Sequence, residues 1–312
     1  MASKRDFETA LKTGRRFAAE ALDRRKKAAQ TRKAALASQQ HMVVRKTSAS
    51  GTWAIAPEVT FASQSAGVLI AEGDSWFDYP FHDVLKDLDD LYGFDVESVA
   101  HKGDTVEEMA YAGGQLDEFS RRVEKVLRSG VKPRAILLSG GGNDVAGDEL
   151  AILLNHAASG IPGLNESVVA GVIDQRLSNA YVTILSAITA VCQGAGAEGV
   201  PIVVHGYDYP VPDGRGFLGG WGPLPGPWLE PGFLRKGYDA MDQRRPLIRS
   251  LIDRFNSMLK SVSRLSQFKH VRYVDLRGTL STGADYKDWW GNELHPTAKG
   301  FEKVTARFVA VI

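Results

Sequence analysis

Short apolar runs recur along this chain, and each stops at residues that turn the backbone. Val68-Leu69-Ile70-Ala71-Glu72 gives way to Gly73-Asp74-Ser75, and Ala135-Ile136-Leu137-Leu138-Ser139 to three glycines and Asn143-Asp144. Ile202-Val203-Val204-His205 gives way to a long Gly/Pro-rich stretch. Apolar runs of this length, bounded by Gly, Pro and Asp, read as buried strands. A looser alternation over 94–100 and the run over 271–276 bring the expected strands to five. Between them the apolar spacing changes to a helical period, as at Val84, Leu85, Leu88 and Leu91. Further helices are expected from about 106, over 116–127, 146–157, 168–192 and 240–264, and from 298 to the end. Strands alternating with helices predict an α/β fold: a three-layer α/β/α sandwich on a parallel sheet. In such a sheet, ligands bind outside the carboxyl ends of the strands. That is where Ser75, Asn143 and the stretch after His205 fall.

Composition narrows the class. With 312 residues, 44% hydrophobic and 24% charged, the chain has the make-up of an ordinary globular protein. No window approaches eighteen apolar residues, so no spanning helix is expected. The N-terminus lacks an apolar signal region, so a cytoplasmic location is expected. The one cysteine, Cys192, sits in an Ala-rich helical context and reads as a buried small hydrophobe. No metal-ligand spacing occurs and the seven histidines are scattered, so neither metal nor cofactor is expected.

Charge is uneven. The first fifty residues carry thirteen Lys/Arg against four Asp/Glu; with a net charge of +1 overall, −8 is left on the remainder. Residues 3–40 read as one charged helix with a thin stripe of Phe7, Leu11, Ala18 and Leu22, flanked by Phe17. The expected organisation is a basic helical extension over 1–45, a linker over 46–65, and a body over 66–312 with an insertion at about 206–237. The helix is expected to pack on the body or a neighbouring subunit, where it would mediate self-association, or else to attach to a surface. Nucleic acid is an unlikely partner, because the body offers no basic face.

Four motifs occur in order: Gly73-Asp74-Ser75, Gly103, Gly141-Gly142-Asn143-Asp144 and His295-Pro296-Thr297. Together they resemble the signatures of the SGNH (GDSL-type) serine hydrolases, with Trp76 in place of the usual leucine. The resemblance spans residues 66 to 312. It implies a flavodoxin-like strand order, 2-1-3-4-5, and a serine esterase acting on carboxylic esters through an acyl-enzyme. By the same resemblance, Ser75 is the nucleophile and His295 its base, and the oxyanion is held by the backbone N–H of Ser75 and Gly103 and the amide of Asn143. The physical demand is for donors aimed at an oxygen that becomes charged during the reaction. Asp74 and Asp144 are expected to hold backbone N–H groups in turns.

One position departs from the pattern. The family's acid precedes the histidine by three residues, where this chain has Asn292. Asn292 can orient His295 without charge; alternatively Glu293, Asp288 or Asp285 replaces the acid. A third possibility is a catalytically weak body that serves as an interaction module presenting the basic helix. The insertion is expected to roof the site, with Trp76, Phe77, Tyr79, Phe81, Trp221 and Trp228 as candidate lining for an acyl chain or a sugar ring.

Overall fold

The computed structural model describes residues 4–44, 65–112, 114–219 and 224–312. Five parallel strands form its centre: β1 (Gly67–Glu72), β2 (Phe94–Ser98), β3 (Ala135–Leu138), β4 (Ile202–His205) and β5 (Val271–Val274). Their spatial order is β2-β1-β3-β4-β5. Leu69 pairs with Ala135, Leu137 with Val203, and Val203 with Arg272, all in parallel register. Of the three inner strands, β3 and β4 are buried at every residue. Helices cover both faces there, which is why these strands read as unbroken apolar runs and not as alternation.

The backbone after β2 stays beside β1. Val99 N–H donates to Ala71 O and His101 N–H to Gly73 O, both at 2.9 Å. This brings Gly103 alongside the end of β1.

Two local expectations need correction. The helix expected over 146–157 is only Asp148–Ile152; the chain then forms a small antiparallel ribbon, Leu154–Asn155 with Gly163–Leu164. Asn155 turns it, its amide donating to Ile161 O at 2.9 Å, a side-chain bond that competes with helix. Secondly, the N-terminal helix (Lys4–Val44) fully buries only Leu11 and Ala18 of the expected stripe. It buries Ala10, Leu11, Gly14, Ala18 and Ala21, while Phe7, Phe17 and Leu22 are half-buried. These small residues let it lie close against the helix Ser178–Gly194. A Cβ on Gly14 would strike the carbonyl of Thr183, and Ser186 Oγ donates to Leu11 O at 2.9 Å. The expected linker lies outside the described residues except for Ser65. Among the described residues no helix is long and apolar enough to cross a membrane.

The stretch over 206–237 contains a 3₁₀ turn, Phe217–Gly219, and a short helix, Glu230–Arg235. Trp221 lies outside the described residues.

Candidate active site

β1 delivers Asp74 and Ser75 into a single helical turn, in which Phe77 and Asp78 N–H donate to Asp74 O at 3.0 and 3.1 Å. Gly73 is required, because a Cβ there would stand 2.7 Å from Ser139 Cβ. The Asp74 carboxylate is buried and pins the turn from below. It accepts from Trp76 N–H at 3.0 Å, from Ser139 Oγ at 2.7 Å and from the Tyr207 hydroxyl. Burial pushes its pKa up while those donors pull it down.

His295 arrives from the other end of the chain in a tight turn. Gly291 N–H closes this turn on His295 O at 2.9 Å, and Thr297 then caps the helix Ala298–Val309 through Gly300 N–H at 3.1 Å. Trp76 contributes a tie absent from the sequence reading. Its indole N–H donates to Leu294 O at 3.1 Å and so joins the Ser75 turn to the His295 turn.

The two ends meet: Ser75 Oγ lies 2.7 Å from His295 Nε2. Behind the ring, Asn292 Oδ1 is 3.0 Å from Nδ1 and accepts the backbone N–H groups of Leu294 and His295, both at 2.9 Å. Those two backbone donors dictate which way the amide faces. Oxygen must point to the ring, so Nδ1 carries the proton and the Nε2 lone pair is left for Ser75. The other side of the amide, Nδ2, donates to the Tyr79 hydroxyl at 2.8 Å. Tyr79 also lies flat on the imidazole, with centroids 4.0 Å apart and planes at 17°. Burial holds the His295 pKa down at about 3.

None of the alternative carboxylates hydrogen-bonds His295 among the described residues. Asp285 holds Ser281 Oγ and Trp289 Nε1 at 2.5 and 3.1 Å. Glu293 points the other way, into the backbone of the 206–237 stretch.

Gly103 and Asn143 stand on neighbouring loops that are tied twice. Asn143 Nδ2 donates to Asp104 O at 2.9 Å, which uses one of its two N–H bonds, and Asp144 accepts from Val106 N–H at 2.9 Å. Gly103 has φ +94, a conformation that side chains other than glycine's rarely adopt.

Two cavities meet at Ser75, Asn143, Leu294 and His295. The narrow one, about 50 Å³, is lined by Val145, Leu229, Ile248, Leu251, Phe255 and Trp290 among others. The wide one, about 330 Å³, is lined by Tyr79, Gly103, Phe217, Leu224, Pro225 and Trp228 among others. The 206–237 stretch thus forms much of the wide side.

A second Ser–His contact lies beneath the first. Ser139 Oγ is 2.8 Å from His205 Nε2, but both residues are wholly enclosed and line neither cavity. Sequence reading did not single out this pair, and no motif marks it.

No curated protein matches the chain by sequence. Among solved structures, the lipase Lip_vut3 from a goat rumen metagenome is similar at 15% identity, with TM-score 0.46, over 78% of this chain and 96% of that one. An extracellular lipase from Streptomyces rimosus is similar at 17% identity and TM-score 0.46, over 79% and 100%. A mutant of Axe2, an acetylxylan esterase from Geobacillus stearothermophilus, is similar at 16% and 0.40, over 79% and 94%. The family model for GDSL-like lipases and acylhydrolases matches residues 63–303, well over half of the chain. A serine hydrolase of the esterase/lipase type is what family, fold and a cavity-lining Ser–His contact together support, and the chain belongs to the GDSL-like lipase/acylhydrolase family.

Proposed function

We propose that the protein hydrolyses esters of short acyl groups, with Ser75 as nucleophile, His295 as general base and Asn292 as the neutral orienter of His295. The observation that carries this reading is the 2.7 Å contact of Ser75 Oγ with His295 Nε2 at the junction of two cavities. His295 Nε2 takes the Ser75 proton as Oγ attacks the ester carbonyl. Negative charge then gathers on the carbonyl oxygen, which is received by the N–H of Ser75, the N–H of Gly103 and the second N–H of Asn143 Nδ2. His295 passes the proton to the departing alcohol, leaving an acyl group on Ser75. Water, deprotonated by the same nitrogen, releases the acid and restores the serine.

The narrow cavity supports the acyl-size part of the reading. A space of about 50 Å³ with almost wholly aliphatic and aromatic walls suits a chain of a few carbons and disfavours a long one. The wide, aromatic-lined side then receives the alcohol.

The test is a p-nitrophenyl ester series from acetate to dodecanoate. Turnover should fall sharply beyond butyrate and vanish in Ser75→Ala. A flat chain-length profile would remove the acyl-size assignment, and activity surviving in Ser75→Ala would remove the nucleophile.

A further inference from the structure

Glu293 has no part in the chemistry just described, yet it is a wholly buried carboxylate inside the turn that carries His295. Its two oxygens receive four backbone N–H groups. Trp228 and Leu229 donate to Oε2, each at 2.6 Å; Glu230 and Gly214 donate to Oε1 at 2.9 and 3.0 Å. Its own N–H donates to Arg215 O at 3.1 Å. Four donors saturate the carboxylate, and hydrogen bonds to an ionised acceptor are the strong kind.

The donors are not arbitrary. Gly214 and Trp228 bracket the excursion that carries Phe217, Leu224 and Pro225 to the wide cavity. Trp228 itself lines the wide cavity and meets the His295 ring edge-on, with centroids 5.5 Å apart, whereas Leu229 lines the narrow one. Leu294, next in sequence to Glu293, lines both. The wall dividing the two cavities is therefore tied at both of its ends to one side chain.

Arg244 complements it. This buried guanidinium takes the carbonyls of Pro212, Tyr238 and Asp239 at 3.2, 2.8 and 2.7 Å, and the Glu230 carboxylate at 2.7 Å. A segment without sheet partners thus has its N–H groups met by one buried ion and its carbonyls by another, which answers the need to pair buried backbone.

We propose that Glu293 is a specificity-determining positioning residue: by fixing the backbone at 214 and 228–230 it sets the partition between the two cavities. It thereby selects esters with a short acyl group on a bulky apolar alcohol. The proposal rests on the acyl-size reading above, and its test is chosen to fail separately from it.

In Glu293→Gln the amide turns an N–H₂ toward backbone donors and loses acceptor sites. The ratio of kcat/KM on p-nitrophenyl acetate to that on p-nitrophenyl octanoate should then fall about tenfold as the wall relaxes. KM for 2-naphthyl acetate should rise more than its kcat falls. Glu293→Asp, which keeps the charge, should recover part of the ratio. Hydrogen exchange on the unmodified protein provides a reading that needs no variant: the amides of Gly214, Trp228, Leu229 and Glu230 should be protected together. In Glu293→Gln they should be released together. Equal rate losses on all three esters, an unchanged ratio, or rapid exchange of those amides in the unmodified protein would overturn the role. Failure of the acyl-size reading shows instead as a flat chain-length profile of the unmodified enzyme.

Discussion

Ser75 with His295 and Ser139 with His205 are nearly the same contact, at 2.7 and 2.8 Å, and both serines follow inner strands of one sheet. Their surroundings differ in three ways. Ser139 gives its hydroxyl proton to Asp74, whereas Ser75 has, among the described residues, only His295 as a side-chain partner. His205 is packed between Trp76, Phe77, Tyr207 and Phe308, with ring centroids 5.1 to 5.7 Å away, whereas His295 opens on two cavities. Only Ser75 has loop donors such as Asn143 beside it on a cavity wall. A short Ser–His distance is therefore a structural link in one place and a proposed reaction centre in the other. What separates them is where the hydroxyl proton goes and whether a substrate can arrive.

The largest effects should fall on one pair alone. Ser75→Ala is expected to lower kcat by about 10⁶, the scale seen when a serine nucleophile is removed. Asn143→Ala should cost about 10² to 10³ in kcat with little change in KM, because its free N–H is needed only once charge develops. Steady-state rates on p-nitrophenyl acetate measure both. If Ser139→Ala proved as damaging as Ser75→Ala in a folded protein, the distinction between the pairs would collapse.

Ser139→Ala should behave as a stability variant. It removes a donor from buried Asp74 and the partner of His205 Nε2, so about 1–3 kcal/mol of folding free energy should be lost. Activity at a temperature well below the melting transition should stay within about tenfold of the parent. Urea unfolding of the variant beside its rates on p-nitrophenyl acetate separates the two effects.

Much of this arrangement is legible in the residues. The three inner strands follow from short apolar runs ended by Gly, Pro and Asp, because burial on both faces leaves little room for alternation, while the half-exposed edge strands read as looser patterns. Ser75, Gly103, Asn143 and His295 stand out through the resemblance of their four ordered motifs to the family signatures, and Ser75 and Asn143 in addition follow strand ends. The remainder depends on contacts between distant segments, which no local pattern records. Trp76 holding Leu294 O spans 218 positions, and Glu293 reaching Gly214 spans 79. Asn155 ended an expected helix through a side-chain bond that apolar periodicity cannot register. Along the N-terminal helix, Gly14 and the alanines outranked the larger Phe7 and Leu22, since close approach to Ser178–Gly194 favours small residues over apolar ones.

The smallest and sharpest difference concerns charge behind His295, the proposed general base. Its proposed orienter is an amide, held oxygen-first by two backbone N–H groups, which leaves the Nδ1–H tautomer in place but sets no negative charge against the imidazolium that the proposed cycle would form. Burial alone acts on His295, lowering its pKa to about 3 from an ordinary 6.5, and it lowers that of His205 to about 4. Both rings thus bind protons more readily in the unfolded chain. Their contribution to stability is full above about pH 6.5 and is lost as pH falls toward 3 to 4. Activity needs neutral His295, so kcat/KM should stay level into the acid range until unfolding ends it. In Asn292→Asp a carboxylate would face Nδ1–H, with Tyr79 free to turn its hydroxyl into a donor. Opposite charge favours the imidazolium, so the acid limb of kcat/KM should move to higher pH while kcat near pH 8 holds or rises by a few fold. A pH–rate profile from 4 to 9 on both proteins reads this directly. An unmoved limb with unchanged kcat would mean that residue 292 does not face the ring during turnover, and the proposed neutral orienter would have to be abandoned.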